Sequence, residues 1–223
     1  MSTHSFRASL ILLVATMACQ SEIDDKPAAT VAPAAPVAPA APAPVEPAAP
    51  AAEAAPAGQV ERAAPESSKL EWVAGKVTKD HPGAFNSFTL EATVAEDQLR
   101  AVNATVDMSS VTSDAEKLTA HLLSPDFFDV AQFAQATFKS SAVEPIAGAA
   151  PGAANVTIRG EMTLHGVTKE VSVPATFAKV EAGGHSLMAE FTINRQDFGV
   201  KYAGKPDDLI KDNVLIKLSA ALR

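Results

Sequence analysis

The chain of 223 residues carries a formal net charge of −8, with acid in excess both in its first third and in the remainder, which argues against nucleic acid as a partner. Its proline is crowded between about residues 26 and 65, so the ordinary sequence that follows amounts to one domain. A single cysteine excludes an intramolecular disulfide.

Arg7 precedes an apolar run from Ala8 to Ala15, then Thr16-Met17-Ala18-Cys19. A run this short does not cross a hydrocarbon core of about 30 Å as a helix, but it suits the apolar part of a cleaved signal peptide over residues 1–18. The lone thiol follows a small residue at the end of that run, and the stretch resembles a bacterial lipobox. The resemblance implies that Cys19 is acylated and becomes the mature N-terminus. Gln20, in place of an aspartate, implies by analogy with bacterial sorting an outer-membrane lipoprotein exposed to the periplasm. Residues 19–68 then read as an acylated cysteine followed by a disordered Ala/Pro-rich linker, because frequent proline removes helix and ladder alike. At about 3.1 Å per residue its proline-rich part spans up to roughly 120 Å.

From residue 69 the pattern changes to short alternating runs. Phe88, Leu90, Ala92 and Val94 alternate with polar residues, turn at Glu96-Asp97-Gln98, and continue as Val102, Ala104, Val106 and Met108. Period two gives one wet and one dry face, and the two runs pair as a hairpin. Ser113-Asp114-Ala115-Glu116 has the form of a capping box, followed by one helical face of Ala115, Leu118, Thr119 and Leu122 that Ser124-Pro125 ends. Phe127 and Phe128 sit in the next loop, where adjacent side chains are expected to serve different surfaces. After a strand over Thr137 to Val143, the hairpin Asn155 to Phe177 is connected through His165-Gly166-Val167-Thr168-Lys169, with His165 expected to hydrogen bond in the turn and Gly166 to supply a backbone angle other residues resist. Leu187, Ala189, Phe191 and Ile193 share one face of the following strand, and Val214, Ile216 and Leu218 mark the last. About eight short strands with one short helix predict a mainly β fold, an antiparallel barrel that leaves no open edges.

Several phrases in this domain together resemble the YceI-like family of lipid-binding periplasmic proteins: Lys76-Val77-Thr78 with His81 and Gly83-Ala84-Phe85, Ser109-Ser110-Val111-Thr112, His121-Leu122 with Ser124-Pro125-Asp126-Phe127-Phe128-Asp129-Val130, Ala136-Thr137-Phe138, Leu164-His165-Gly166-Val167-Thr168-Lys169, and Asn194-Arg195 with Asp197-Phe198-Gly199. The resemblance covers residues 69–223 and implies a lipocalin-like barrel whose elongated cavity takes up a polyisoprenoid, an isoprenoid quinone or a similar single-chain lipid. On that reading the ligand-binding candidates are Phe85, Phe88, Leu122, Phe127, Phe128, Phe138, Met162, Leu164, Phe177, Ala189, Phe191 and Arg195. The alternating pattern by itself leaves open a non-catalytic interaction lipoprotein whose barrel is filled by its own side chains.

Catalysis has little to stand on. His81, His121, His165 and His185 lack metal-ligand spacing, no nucleophile elbow or phosphate loop is present, and no metal or cofactor is expected. Asp114 and Asp129 read as helix-start residues. Arg195 either pairs with Asp197 or Asp212 to pin its loop, or faces the cavity mouth and holds a polar head group, with Lys201 and Tyr202 on the same rim. The sequence leaves the oligomeric state open.

Overall fold

The computed structural model describes Ile23 and residues 26–32 and 57–223; the expected signal segment and Cys19 lie outside the described residues. The strands are β1 Thr30–Ala32, β2 Gln59–Arg62, β3 Lys69–Lys76, β4 Asp80–Phe85, β5 Phe88–Ala95, β6 Gln98–Asp107 and β7 Val111–Ser113, then, after helix α1 Glu116–Leu122, β8 Gln135–Pro145, β9 Val156–Leu164, β10 Val167–Lys179, β11 His185–Asn194, β12 Gly204–Lys205 and β13 Asp208–Leu222. One sheet runs β2-β5-β6-β8-β9-β10-β11-β13-β3-β4-β7 with antiparallel neighbours. It curls into a barrel, as the alternation predicts. Its start and its eighth strand meet where Arg62 N donates to Arg223 O at 2.8 Å and Ala64 N to Ala221 O at 2.8 Å. The segment around β2 thereby covers edges that β5 and β13 would otherwise leave open.

Local chemistry sets the turns. Glu96 and Asp97 have φ of 55° and 56°, and His165 and Gly166 have φ of 51° and 72°. Both pairs join directly bonded strand ends, Ala95 to Gln98 and Leu164 to Val167, which is the two-residue hairpin turn whose twist matches the strands it connects. The His165 ring packs on Phe133, with centroids 4.7 Å apart, so an aromatic contact takes the place of the hydrogen bond expected from it.

The expected capping box does not form. Helix α1 begins at Glu116 with no side-chain cap, because Ser113 is held in β7 opposite Gly83 and turns its backbone N–H to Thr119 Oγ1 at 2.9 Å. Asp114 is drawn instead to His81 Nδ1 at 2.8 Å and Lys79 Nζ at 3.0 Å. Asp129 likewise starts no helix; it is a buried turn residue with φ of 43° that accepts from Gln132 Nε2 at 2.6 Å.

A larger correction concerns the proline-rich segment. Residues 19–68 are not a structureless linker throughout, since 26–32 and 57–68 belong to the barrel. The strands β10 and β11 pair only between residues 175–179 and 185–189 and splay beyond, leaving free backbone groups at Ser172 and Thr192. The early segment fills that gap. Thr30 pairs with Ser172 and Val31 with Val171, while Ala29 N donates to Thr192 O at 2.8 Å and Thr192 N to Pro27 O at 3.0 Å. Lys26 Nζ reaches Glu190 Oε2 at 2.9 Å. Ala29 joins the inner core, and Ile23 is 2 % exposed in an outer cluster with Val73 and Leu215. Composition forbids this segment a core of its own, but a pre-existing sheet gap needs only backbone donors and acceptors, which prolines at Pro27 and Pro33 leave intact between them.

Candidate functional site

The two ends of the barrel interior differ. At the end beside β2, Ala92, Val94, Leu99, Ala175, Phe177, Ala220 and Leu222 pack together and fill the space. Toward the other end the inward positions of the same strands stand back and enclose a cavity of about 230 Å³. Parity explains its wall: Leu187, Ala189, Phe191 and Ile193 come from β11, Leu70, Trp72 and Ala74 from β3, and Val214, Ile216 and Leu218 from β13. Gly83 faces Trp72 across the β3–β4 ladder, and the indole lies so close over it that any Cβ there would collide with the ring. That glycine is what lets the largest side chain of the wall lie flat.

Helix α1 and the turn after it cover the open end. Leu122, Phe127 and Phe128 line the cavity, with the Phe128 ring 6.1 Å from Phe85 and the Phe127 ring 5.1 Å from Tyr202. The expectation that the two phenylalanines serve different surfaces is corrected here. Alternation applies to extended chain, whereas Phe127 N bonds to Ser124 O and Phe128 N to Leu122 O, a tight turn that brings both rings to one side. His121 stands edge-on to Phe127 and Tyr202, each 4.9 Å away, with Nε2 2.8 Å from Asp126 Oδ2.

Of the predicted lining, Phe85, Phe88, Leu122, Phe127, Phe128, Phe138, Met162, Leu164, Ala189, Phe191 and Arg195 all border the cavity. Phe177 does not, although its parity is right; it sits in the filled end, stacked on His185. Sequence reasoning missed several other lining residues, Trp72, Met108, Val200 and Ile210 among them. Trp72 carried a signal, as the only tryptophan and the inward member of its run, whereas Val200 and Ile210 lie in a segment with no period to read.

The lining is apolar except for Thr137, Arg195 and the indole nitrogen of Trp72, which is buried with no hydrogen-bond partner among the described residues. Arg195 is 6 % exposed and sits in the short 3-10 helix Arg195–Phe198. Its Nε donates to Lys211 O at 3.0 Å, Nη1 to Val200 O at 2.7 Å and Tyr202 O at 2.9 Å, and Nη2 to Ile210 O at 3.3 Å and Asp212 Oδ1 at 3.2 Å. A guanidinium has five N–H donors, and these five acceptors occupy them. Arg195 thus pins the loop through Asp212, not Asp197, and offers a ligand its stem with no spare donor for a head group. Burial pulls its pKa down while Asp212 opposes the change.

The other two histidines among the described residues are engaged elsewhere: His81 with Asp114, and His185 Nδ1 with Glu61 Oε1 at 2.9 Å. Among the described residues no group of three His, Cys, Asp or Glu side chains is placed to hold a metal ion.

The sequence model of the YceI-like domain matches residues 62–222. The chain belongs to the YceI-like family. A UPF0312 protein of Pseudomonas fluorescens is 41 % identical over 117 residues, covering 50 % of this chain and 58 % of its own length; one from Vibrio parahaemolyticus is 34 % identical over 97 residues, 43 % of this chain and 49 % of its own. The match thus spans only about half the length of these relatives. Among solved structures, BcnA of Burkholderia cenocepacia superposes with a TM-score of 0.63 at 25 % identity, covering 72 % of this chain and 98 % of BcnA. A polyisoprenoid-binding domain from Saccharophagus degradans, implicated in plant cell wall breakdown, gives 0.58 at 15 % identity over 74 % of this chain and 97 % of that domain. The latter likeness is one of fold. The YceI-like barrel expected from the motifs is the barrel observed.

Proposed function

We propose that this YceI-like chain binds a single-chain lipid of the isoprenoid or isoprenoid-quinone type in its barrel, and does so as a periplasmic lipoprotein held to the outer membrane by acylated Cys19. The cavity carries the reading. At about 24 cal/mol per Å³ of void, an empty space of 230 Å³ costs roughly 5–6 kcal/mol relative to a packed core, comparable with the whole stability of many domains, about 5–15 kcal/mol. A barrel built only to be filled by its own side chains has no reason to keep that void, and larger residues together at Ala74, Ala104 and Ala189, which border it, would fill most of it. The lining offers a guest almost no hydrogen bonds, so affinity comes from apolar area, about 25 cal/mol per Å² removed from water. Such a wall suits a hydrocarbon chain and lacks the convergent polar groups that catalysis requires.

The test is extraction of the Cys19→Ser protein, purified from periplasm without detergent, followed by mass spectrometry of the organic phase. An isoprenoid in near-equimolar amount is the expected result; a fatty acid in its place redefines the lipid class. Absence of any lipid, together with no uptake of an added isoprenoid, returns the chain to the filled-barrel reading.

A further inference from the structure

The anchor and the barrel wall are separated by very little chain. Ile23 is fixed in a cluster with Val73 and Leu215 on the outer face, and its Cδ1 lies against Gly75, beside the Lys211 side chain. Four residue steps separate Cys19 from Ile23, at most about 14 Å even if fully extended. Residues 26–32 are then spliced between β10 and β11, so in chain order the first contacts with the barrel come before residues 33–56, which hold most of the proline-rich stretch.

Gly75 and Lys211 each stand two residues from a tip of unusual character. The β3–β4 turn and the β12–β13 hairpin are fastened to one another: Val77 N donates to Leu209 O at 3.1 Å, Thr78 Oγ1 to Asp208 Oδ1 at 2.9 Å, and Lys76 Nζ to Asp208 Oδ2 at 3.2 Å. On this tip Val77 is 73 % exposed and Leu209 49 %. Two residues of strand are about 7 Å, so both apolar side chains lie within reach of any surface that holds Cys19. The opposite end of the barrel, at Leu222, is eleven strand steps from Lys211, about 36 Å.

The geometry points to a lipid bilayer as the partner of this tip: the YceI-like barrel sits end-on against the membrane, with Val77 and Leu209 in the interfacial layer and with Ile23 and residues 26–32 fastened to the barrel beside it. This rests on the anchoring at Cys19 proposed above, and it replaces a reach of roughly 120 Å for a free proline-rich spacer with one of about 20 Å. It also sets the cavity end toward the membrane, since Ala74 and Ile210 belong to the lining and adjoin the tip.

The experiment uses the mature acylated chain in vesicles of phosphatidylethanolamine and phosphatidylglycerol. With the Cys19 thiol occupied, Val77→Cys and, in a second protein, Glu181→Cys each provide one site for an environment-sensitive fluorophore. The Val77 probe is expected to shift to the blue on reconstitution and to lose most of its intensity to quenchers carried on the lipids, while the Glu181 probe, in the turn at the far end, behaves as it does in buffer. Mass spectrometry of the same samples reports acylation. An acylated chain whose Val77 probe stays in water, or whose Glu181 probe is the one quenched, overturns the end-on seating alone; a chain without acyl groups on Cys19 overturns the anchoring and the seating together.

Discussion

Phe177 lies flat on His185, with ring centroids 4.8 Å apart and planes 11° from parallel. The imidazole is 6 % exposed and holds Glu61 of β2 through Nδ1, with Nε2 3.4 Å from Asp97 Oδ1. The stack therefore seals the filled end of the barrel and joins it to the strand that covers the sheet edge. Phe177→Ala should cost about 3–5 kcal/mol of unfolding free energy, read by denaturant titration, while leaving the affinity for an isoprenoid probe within a few-fold of wild type in the folded fraction. A selective loss of affinity without loss of stability would place Phe177 at the cavity after all.

Ala189 separates cavity from core. It is inward on β11 and borders the void, so tryptophan there has space that a packed core would deny it. Overpacking costs about 1–3 kcal/mol in a dense interior; here Ala189→Trp should unfold within about 1 kcal/mol of wild type and lose most of its lipid uptake, measured by fluorescence titration with an isoprenoid probe. Full lipid affinity in this variant would move the ligand elsewhere.

Ile23 is buried, at 2 % exposure, although it precedes the proline-rich stretch. Ile23→Ala should therefore lower stability by about 2–3 kcal/mol. Shortening the stretch between Ala32 and Gly58 by about ten residues should change it by no more than about 0.6 kcal/mol, because loop closure depends weakly on length. Thermal unfolding of the two variants side by side checks this, and an Ile23→Ala protein as stable as wild type would mean that Ile23 does not contribute to the fold.

Asp114 is held below its ordinary carboxyl value near 3.8 chiefly by the His81 hydrogen bond and then by Lys79, against the opposing effect of burial. A carboxylate depressed in the folded state contributes stability that is present above its unfolded pKa and is lost as pH falls through the lower folded value. Asp114→Asn should accordingly be less stable than wild type at neutral pH, by about 1 kcal/mol or less for so accessible a pair, and the gap should close below about pH 4. Unfolding curves across that range give the comparison; a gap that persisted in acid would assign the loss to packing.

The sequence by itself determined what is local and periodic. Alternation put Leu187, Ala189, Phe191 and Ile193 inside, the polar residues at Glu96-Asp97-Gln98 and from His165 to Lys169 marked two hairpin connections that the structure tightens to two residues each, and the motif order pointed to the YceI-like family. Only the tertiary structure decided what depends on distant chain. Phe177 and Phe191 share a parity and differ in role, because which end of the barrel is filled depends on how Ala220, Leu222 and the segment around β2 meet there. The donors of Arg195 are spent on carbonyls from residues 200–211 and on Asp212, partners that no spacing announces. The segment 26–32 shows no pattern of its own, since what orders it is the unpaired backbone of Ser172 and Thr192, a gap that exists only once β10 and β11 have folded and splayed apart.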